Sequence, residues 1–200
     1  MKIKVALLVL LGSAAACAQC GVERNDVKDL KDAAAKEIHM TAQPMTIAAL
    51  RTIKPPEKIG NTLPRQPGER QVYELEAQII GYKYEANGDR DYHVVLSTIG
   101  KPAETMIIEI PHPDCGPPEY KQVFAQLRAF VDAQARAQAP RHMPGPAFFT
   151  FPKPVPVTAA GVTFFDKIHG THKNLDGTIG QVGVAPNGIE LHPALKLNPK

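Results

Sequence analysis

The fold is decided by a strand-rich stretch that begins with Val72-Tyr-Glu-Leu-Glu-Ala-Gln-Ile-Ile-Gly-Tyr82 and continues with Asp91-Tyr-His-Val-Val-Leu96. Both segments are rich in β-branched and aromatic residues, and apolar side chains alternate with polar ones along part of their length, which is typical of half-buried strands. Asn87-Gly-Asp89 between them is a turn signal. The sequence therefore predicts a long hairpin over residues 72–96.

A third strand and a helix follow the hairpin. Thr105-Met-Ile-Ile-Glu-Ile110 has the composition of a strand and is ended by two nearby prolines. Pro118 and Glu119 suit the first turn of a helix, and the apolar residues after them recur on one helical face as far as about Gln138. Two further strands are predicted at Val155–Phe165 and Gly188–His192.

The resulting element order is β-β-β-α-β-β, which is the order of the OB-fold, a small five-stranded barrel. In that fold the helix between the third and fourth strands closes one end of the barrel. We therefore expect residues 71–200 to form a mainly β domain with one long helix, as an OB-like five-stranded barrel. A five-stranded open sandwich would give a similar pattern and stays open as the alternative.

The first residues have the three parts of a secretory signal peptide. Lysines at positions 2 and 4 precede the apolar run Val5–Leu11, and small residues lead to a cleavage position after Ala18. The apolar run is shorter than the roughly 20 residues of a membrane-spanning helix. We therefore predict a signal peptide over residues 1–18, no transmembrane segment, and an exported protein that is periplasmic or secreted.

Acylation of Cys17 is the second interpretation of this segment. A lipid anchor at Cys17 would make the protein a lipoprotein, but the leucine that usually stands three residues before the acylated cysteine is absent. Cleavage after Ala18 therefore ranks first. Both interpretations retain Cys20 and Cys115, and an even pair of cysteines in an oxidising compartment predicts a disulfide bond between them.

Residues 19–70 predict an N-terminal helix and a proline-rich arm that precede the β domain. Asn25 and Asp26 can cap a helix that reaches about His39. Five prolines between positions 44 and 67 then work against any long regular helix or strand. We expect this arm to be tethered to the β domain where Cys20 meets Cys115.

The charge composition argues against nucleic-acid binding. The chain has 23 Lys and Arg against 20 Asp and Glu, and loss of Lys2 and Lys4 with the signal peptide brings the two signs nearly into balance. Nucleic-acid-binding domains usually carry a clear basic excess or a basic stripe. Nineteen prolines and the lack of tryptophan indicate a modest core with irregular connections.

Ionisable side chains recur on the predicted strands and just beyond them. Asp91 and His93 stand two residues apart, as do Glu190 and His192, so each pair shares one face of its strand. Glu109 lies near the end of the third strand. The candidate binding residues are Asp91, His93, Glu109, Asp166, His169, Glu190 and His192.

Two chemistries fit these residues. Imidazole and carboxylate groups can bind a divalent metal ion or act as acid and base. Alternatively, histidine–carboxylate pairs form structural networks on a polar face of the barrel. The structural or simple-binding interpretation ranks first, because the sequence has no His-Glu-x-x-His, no nucleophile elbow and no phosphate-binding loop. No cofactor is predicted, and a divalent metal stays the alternative.

Four blocks of the sequence are similar to blocks found in a group of other proteins. They are Asp91-Tyr-His93, Glu109-Ile-Pro with Cys115, Phe164-Phe-Asp with His169-Gly, and Gly183-Val-Ala-Pro-Asn-Gly-Ile-Glu-Leu-His-Pro193. In this order they resemble a group of uncharacterised exported bacterial proteins, over about residues 72–197. The resemblance implies a shared frame and draws attention to the candidate residues, but it implies no activity. The chain departs from the pattern at 171–179, a longer loop after His169-Gly that puts a site around His169 in doubt.

These observations favour an exported, non-enzymatic β-barrel module that binds a small ligand or an envelope partner. The alternative is a metal-dependent hydrolase in which Asp91, His93, His169, Glu190 and His192 serve as ligands or bases. The two differ in one structural respect. The hydrolase requires these side chains to meet in one site, although they lie on distant parts of the sequence.

Overall fold

Six strands form the main sheet of the computed structural model, which describes residues 20–86 and 88–200. The strands are β1 (His39–Met45), β2 (Gln71–Tyr84), β3 (Tyr92–Thr98), β4 (Lys101–Ile110), β5 (Phe149–Phe165) and β8 (Ile189–Pro199). Two short strands, β6 (His172–Lys173) and β7 (Ile179–Gly180), pair with each other in a separate hairpin. The predicted signal peptide, Cys17 and the turn residue Asn87 lie outside the described residues.

The described residues form three α-helices, and only one of these three is long. The α-helices are α1 (Asn25–Lys28), α2 (Ile47–Leu50) and α3 (Lys121–Gln138). Short 3-10 turns cover Ala33–Glu37, Pro67–Glu69 and Pro118–Tyr120. The last turn leads directly into α3, so the helix predicted from Pro118 to about Gln138 is confirmed. Within the described residues, no helix is both long enough and apolar enough to span a membrane.

The strands follow one another in the order β1-β2-β3-β4-β8-β5, and β2 pairs with β5 as well. Each of β2, β3, β4, β5 and β8 therefore has a hydrogen-bonded neighbour on both sides. The pairs β1–β2 and β4–β8 are parallel, and the other pairs of this sheet are antiparallel. The parallel pair β4–β8 places the C-terminal strand of the domain beside β4.

Alternation along these strands separates an apolar face from a polar one. Val94, Ile108 and Leu191 point into the main core, which also takes up Phe124 and Val131 of α3. The residues between them on the strands point to the opposite face. The long helix α3 and the short α2, through Ile47 and Leu50, therefore cover the apolar face, while the N-terminal segment and the loop before β8 cover the polar one.

The mainly β fold with one long helix is confirmed, but the sheet has six strands where five were predicted. The additional strand, β1, comes from the predicted proline-rich arm and pairs with the edge of β2. Most of its side chains are exposed, so no hydrophobic alternation marks it in the sequence. Pro44 is tolerated there because β1 is an edge strand.

The N-terminal segment, residues 20–37, lies across the polar face of the sheet. The helix predicted from Asn25 to His39 is divided into α1 and a 3-10 turn, with Leu30 between them at a positive φ of 62°. Leu30 and Ile38 bury their side chains against Val72 and Val162 in a second, smaller apolar cluster. The predicted disulfide is confirmed: Cys20 and Cys115 are joined, with Cα atoms 5.5 Å apart.

Candidate functional site

Strand register brings five of the predicted residues together. His93 on β3 is directly opposite Glu109 on β4, and Glu190 on β8 is opposite Ile107, two residues before Glu109. Since residues two apart share a face, all of these side chains and their neighbours project to the same side of the sheet. We call this group the His192 cluster; its members are Asp91, His93, Glu109, Glu190 and His192.

Close contacts connect the whole His192 cluster. His93 Nδ1 lies 3.1 Å from Glu109 Oε1, and His93 Nε2 donates to the carbonyl oxygen of Val182 at 2.8 Å. His192 Nδ1 lies 3.2 Å from Glu190 Oε1 and 3.5 Å from Glu109 Oε2. On the other side of the ring, His192 Nε2 is 3.2 Å from Asp91 Oδ2. Glu109 therefore connects the two histidines.

The cluster is closed to solvent. Its side chains are buried, from His93 and His192 at 0% exposure to Glu109 at 4%. Nevertheless, several polar atoms in it have no hydrogen-bond partner among the residues that the structure describes: both carboxylate oxygens of Asp91 and Nε2 of His192. The approach of Asp91 to His192 is close enough for an ion pair but is not aligned for a hydrogen bond. An unsatisfied buried charge is costly, so this part of the cluster calls for an explanation.

Burial and mutual charge shift the pKa values of the cluster in opposite directions. Burial, reinforced by the charge of Glu109, raises the pKa of Glu190 to about 8. Burial also raises the pKa of Asp91. Burial alone would raise the pKa of Glu109, but its hydrogen bond with His93 and the charge of His192 outweigh that effect and lower the pKa to about 2. Proton sharing among crowded carboxylates is the expected result.

The same carboxylates also shift the pKa of the His192 imidazole. Burial disfavours its charged form, but the carboxylates of Asp91 and Glu190 outweigh burial and raise its pKa well above the usual value. In the absence of another cation, His192 is therefore the positive centre of the cluster. Any ion that took its place between the carboxylates would have to displace a proton from the ring.

Sequence analysis missed the residues that the N-terminal segment adds. Lys28 Nζ lies 2.8 Å from Asp89 Oδ2 and 3.6 Å from Asp166 Oδ2 at the border of the cluster. Asp29 is 3% exposed, its Oδ2 has no hydrogen-bond partner in the described chain, and burial together with the charge of Asp91 raises its pKa to about 7. The one signal that could have found them is the cysteine pair, because Cys115 follows β4 closely and Cys20 precedes α1.

Asp166 and His169 are not members of the cluster. Asp166 is half-buried, and the described residues pair it with Lys28 and His169 rather than with a member of the cluster. His169 has a side chain that is 51% exposed, 4.0 Å from Asp166 Oδ2 and in hydrogen-bond contact with Gln181. The longer loop after His169 places this residue on the surface, so the sequence-based doubt about a site around His169 agrees with its position.

A second buried charge site lies beside the His192 cluster and is fully satisfied. Arg24 donates to Glu69 through Nη1 at 2.9 Å and Nη2 at 2.5 Å, and to the backbone oxygens of Leu63, Pro64 and Phe165. The Glu69 carboxylate also accepts from the backbone N–H groups of Gln66 and Phe165. We call this pair the Arg24–Glu69 site. Phe164 lies between the two sites, 4.5 Å from the Arg24 guanidinium and 5.7 Å from the His192 ring.

A groove of about 490 Å³ opens on the same face of the sheet as the His192 cluster. Strand residues line one side of it, and the loop that carries β6 lines the other. The hydroxyl of Thr105 is buried there with no hydrogen-bond partner among the described residues. The lining residues used below are Ile80, Val95, Thr105, Phe148, Leu175 and Val182. Val182 joins the groove to the cluster, because its carbonyl oxygen accepts the hydrogen bond of His93.

The wall of the groove is held by Asn174. Its amide nitrogen donates to the carbonyl oxygens of Thr178 and Gln181, and its side-chain oxygen accepts from Gly183 N at 2.7 Å. Gly183 has a φ of +83°, and a Cβ there would meet Val95 at 2.3 Å. Glycine is therefore required where this loop crosses β3.

A larger surface pocket, of about 570 Å³, runs along the proline-rich segment at 53–68. It lies on connecting segments and contacts none of the cluster residues. The groove next to Val182 is the better candidate for binding because residues of β2, β3, β4 and β5 line it and the buried Thr105 hydroxyl has no hydrogen-bond partner among the described residues.

Comparison of the chain with known protein families, with curated proteins and with solved structures found no match.

Proposed function

We propose that this protein is an exported OB-type β-barrel module that binds a small ligand with an apolar body and one hydrogen-bonding group. The ring of strands β2-β3-β4-β8-β5, with α3 between β4 and β5, supports the barrel part, because it follows the OB order and β1 only adds to its edge. The N-terminal sequence and the Cys20–Cys115 disulfide support export.

The groove is the observation that carries the proposed binding activity. Its volume falls within the range of small-molecule sites, and its strand residues are mostly apolar, with Thr105 and Thr150 as the hydroxyl-bearing ones. The buried Thr105 hydroxyl has no hydrogen-bond partner among the described residues. Outer sheet faces are where OB-type barrels bind their ligands. A small concave site of this kind fits a small molecule better than a protein partner, whose interface would be broader.

The loop that forms the groove wall is where this chain departs from the pattern of the exported proteins that it resembles. Residues 171–179 include Leu175, whose side chain stands at the rim and is 79% exposed. We therefore propose that the ligand preference of the groove is particular to this chain. The loop contributes His172 and Lys173 as polar groups at the same rim.

A metal-dependent hydrolase is less well supported. The convergence of the His192 cluster favours it, but a substrate bond would have to reach Asp91 and His192, which are 1% and 0% exposed. Hydrolysis also needs an open coordination position for water. His169, one of the proposed ligands, is on the surface away from the cluster.

Blocking the groove tests the binding proposal. The neutral apolar dye N-phenyl-1-naphthylamine should bind the purified protein and gain fluorescence, and Ile80→Trp should weaken this binding by about tenfold or more by filling the groove. Ile99→Trp is the matched control, since Ile99 is 50% exposed in the β3–β4 turn and does not line the groove. Equal dye affinity in both variants, or no binding by the unmodified protein, would overturn the proposal.

A further inference from the structure

The His192 cluster contains an unusual concentration of unpartnered buried atoms. Both oxygens of Asp91 and Nε2 of His192 have no hydrogen-bond partner among residues 20–86 and 88–200, and the two side chains are 1% and 0% exposed. Oδ2 of the nearby Asp29 also lacks an aligned hydrogen bond, but it forms an ion pair with Lys31 Nζ at 3.2 Å. These atoms are mostly acceptors, so neither a further backbone carbonyl nor another carboxylate could satisfy them. A cation could.

The orientation of His192 is what a metal-binding histidine requires. Its Nδ1 contacts Glu190 Oε1 at 3.2 Å, so a proton on Nδ1 can be donated to this carboxylate. Nε2 is then unprotonated, and Asp91 Oδ2 lies 3.2 Å from it, off the axis of its lone pair. A histidine held by a carboxylate through one nitrogen and presenting the other is the usual arrangement around a bound transition metal.

A third ligand lies within reach. One donor atom each from Asp91, Glu109 and His192 can be chosen so that all three lie within 4.8 Å of one another. An ion about 2.0–2.2 Å from each ligand holds its donors roughly 3–3.5 Å apart, so donors that start up to 4.8 Å apart would have to move closer around it. Glu109 is itself oriented by His93, whose Nδ1 contacts the other carboxylate oxygen at 3.1 Å.

We infer that Asp91, Glu109 and His192 form a buried binding site for a first-row divalent transition metal ion such as Zn²⁺. His93 and Glu190 are positioning residues in this site, because they contact the ligands rather than the ion. One imidazole with two carboxylates suits Zn²⁺ and its neighbours, whereas Ca²⁺ and Mg²⁺ prefer sites made of oxygen alone. The inference is independent of the groove proposal, since none of the three ligands lines the groove.

Burial determines what the ion would do. All three ligands are at most 4% exposed, so a substrate could not reach the ion even though three protein ligands leave a fourth position for water. The N-terminal segment covers the site through Lys28 and Asp29, which are 6% and 3% exposed. A bound ion would therefore stabilise the folded protein and hold this segment against the sheet.

Metal retention by the purified full chain tests the inference. After removal of metals with a chelator and equilibrium dialysis against micromolar Zn²⁺, we expect about one Zn²⁺ per chain and a rise in melting temperature. Asp91→Asn and His192→Gln should each lower the Zn²⁺ retained at least about tenfold. Asp114→Asn and His169→Gln are the matched controls, because both side chains are more than half exposed and lie outside the cluster.

Two further readouts separate metal binding from a purely structural role. Co²⁺ should bind to the same site and give a visible absorption band that Asp91→Asn abolishes while the circular dichroism of this variant stays unchanged. The inference is overturned if the unmodified chain retains no Zn²⁺, if the folded Asp91→Asn and His192→Gln variants retain as much as the controls, or if Ca²⁺ binds and Zn²⁺ does not.

Discussion

The two charged sites beneath the N-terminal segment are equally buried but differently satisfied. At the Arg24–Glu69 site, both side chains are at most 8% exposed, and the guanidinium and the carboxylate are fully hydrogen-bonded. At the His192 cluster, on the other side of Phe164, carboxylates outnumber histidines, and both oxygens of Asp91 and Nε2 of His192 lack hydrogen bonds among the described residues, with only a 3.2 Å ion pair between the two side chains. A complete network needs nothing further, whereas an incomplete one of this composition points to a missing cation.

Glu69→Gln should give the largest effect on folding. The amide cannot neutralise Arg24, and its NH₂ group would face N–H donors of Arg24, Gln66 or Phe165, which leaves a buried charge without a partner. We expect a loss of about 3–5 kcal/mol in the free energy of unfolding, measured by urea denaturation, and no rescue by Zn²⁺.

Glu76→Gln is the matched control for this change. Glu76 is on β2, its side chain is 56% exposed, and it pairs with Lys200 at the surface. We expect the free energy of unfolding to change by no more than about 0.5 kcal/mol. If the two glutamates proved equally dispensable, the Arg24–Glu69 site would not be the structural anchor that its hydrogen bonds indicate.

Removal of the disulfide should affect both sites together. The bond between Cys20 and Cys115 spans 95 residues and fixes the N-terminal segment that covers them. The double variant Cys20→Ala, Cys115→Ala should lose about 2–4 kcal/mol in the free energy of unfolding, and limited proteolysis should cleave residues 20–37 first. Unchanged stability and unchanged cleavage would show that packing of Leu30 and Ile38 alone holds the segment.

Asp29 gives the metal-free protein a distinct pH dependence. Burial and the charge of Asp91 raise its pKa to about 7, so the folded state holds a proton that the unfolded state releases near pH 4. Stability should therefore fall as pH rises from about 4 to 7, with a contribution of at most about 1.4 kcal/mol per pH unit. Asp29→Asn should remove this contribution in chemical denaturation at a series of pH values.

An unchanged pH dependence of stability in the Asp29→Asn variant would contradict this prediction. If the slope of stability against pH were the same in Asp29→Asn as in the unmodified protein, the Asp29 carboxyl would titrate normally in the fold. The N-terminal segment would then not be pressed against the His192 cluster as the structure has it.

The fold could be predicted from sequence where side chains alternate or follow a helical period. The hairpin at 72–96 and the helix after Pro118 have strong patterns, because one face of each is buried in the same core. The strand β1 has no such pattern, since backbone hydrogen bonds to β2 rather than buried side chains hold it in place. The number of strands was therefore predicted wrongly, while the mainly β composition with one long helix was predicted correctly.

The candidate site, like the fold, could be predicted from the sequence only in part. Spacing of two residues placed Asp91 beside His93 and Glu190 beside His192, but only the pairing of β4 with β8 brings the two pairs together. That contact joins residues about 80 positions apart, for which the pattern of a single strand carries no information. Lys28 and Asp29 were missed for a different reason, because residues 19–70 were predicted to precede the β domain, which gave no reason to place their side chains against the sheet.

The central claim is that Asp91, Glu109 and His192 of the His192 cluster bind a metal ion. Crystals of the full chain grown with Zn²⁺, measured on both sides of the zinc absorption edge, test it most directly. We predict one anomalous peak per chain, about 2.0–2.2 Å from donor atoms of Asp91, Glu109 and His192. Anomalous peaks confined to the surface, with a water molecule or the Lys28 ammonium bonded to both oxygens of Asp91, would contradict the claim.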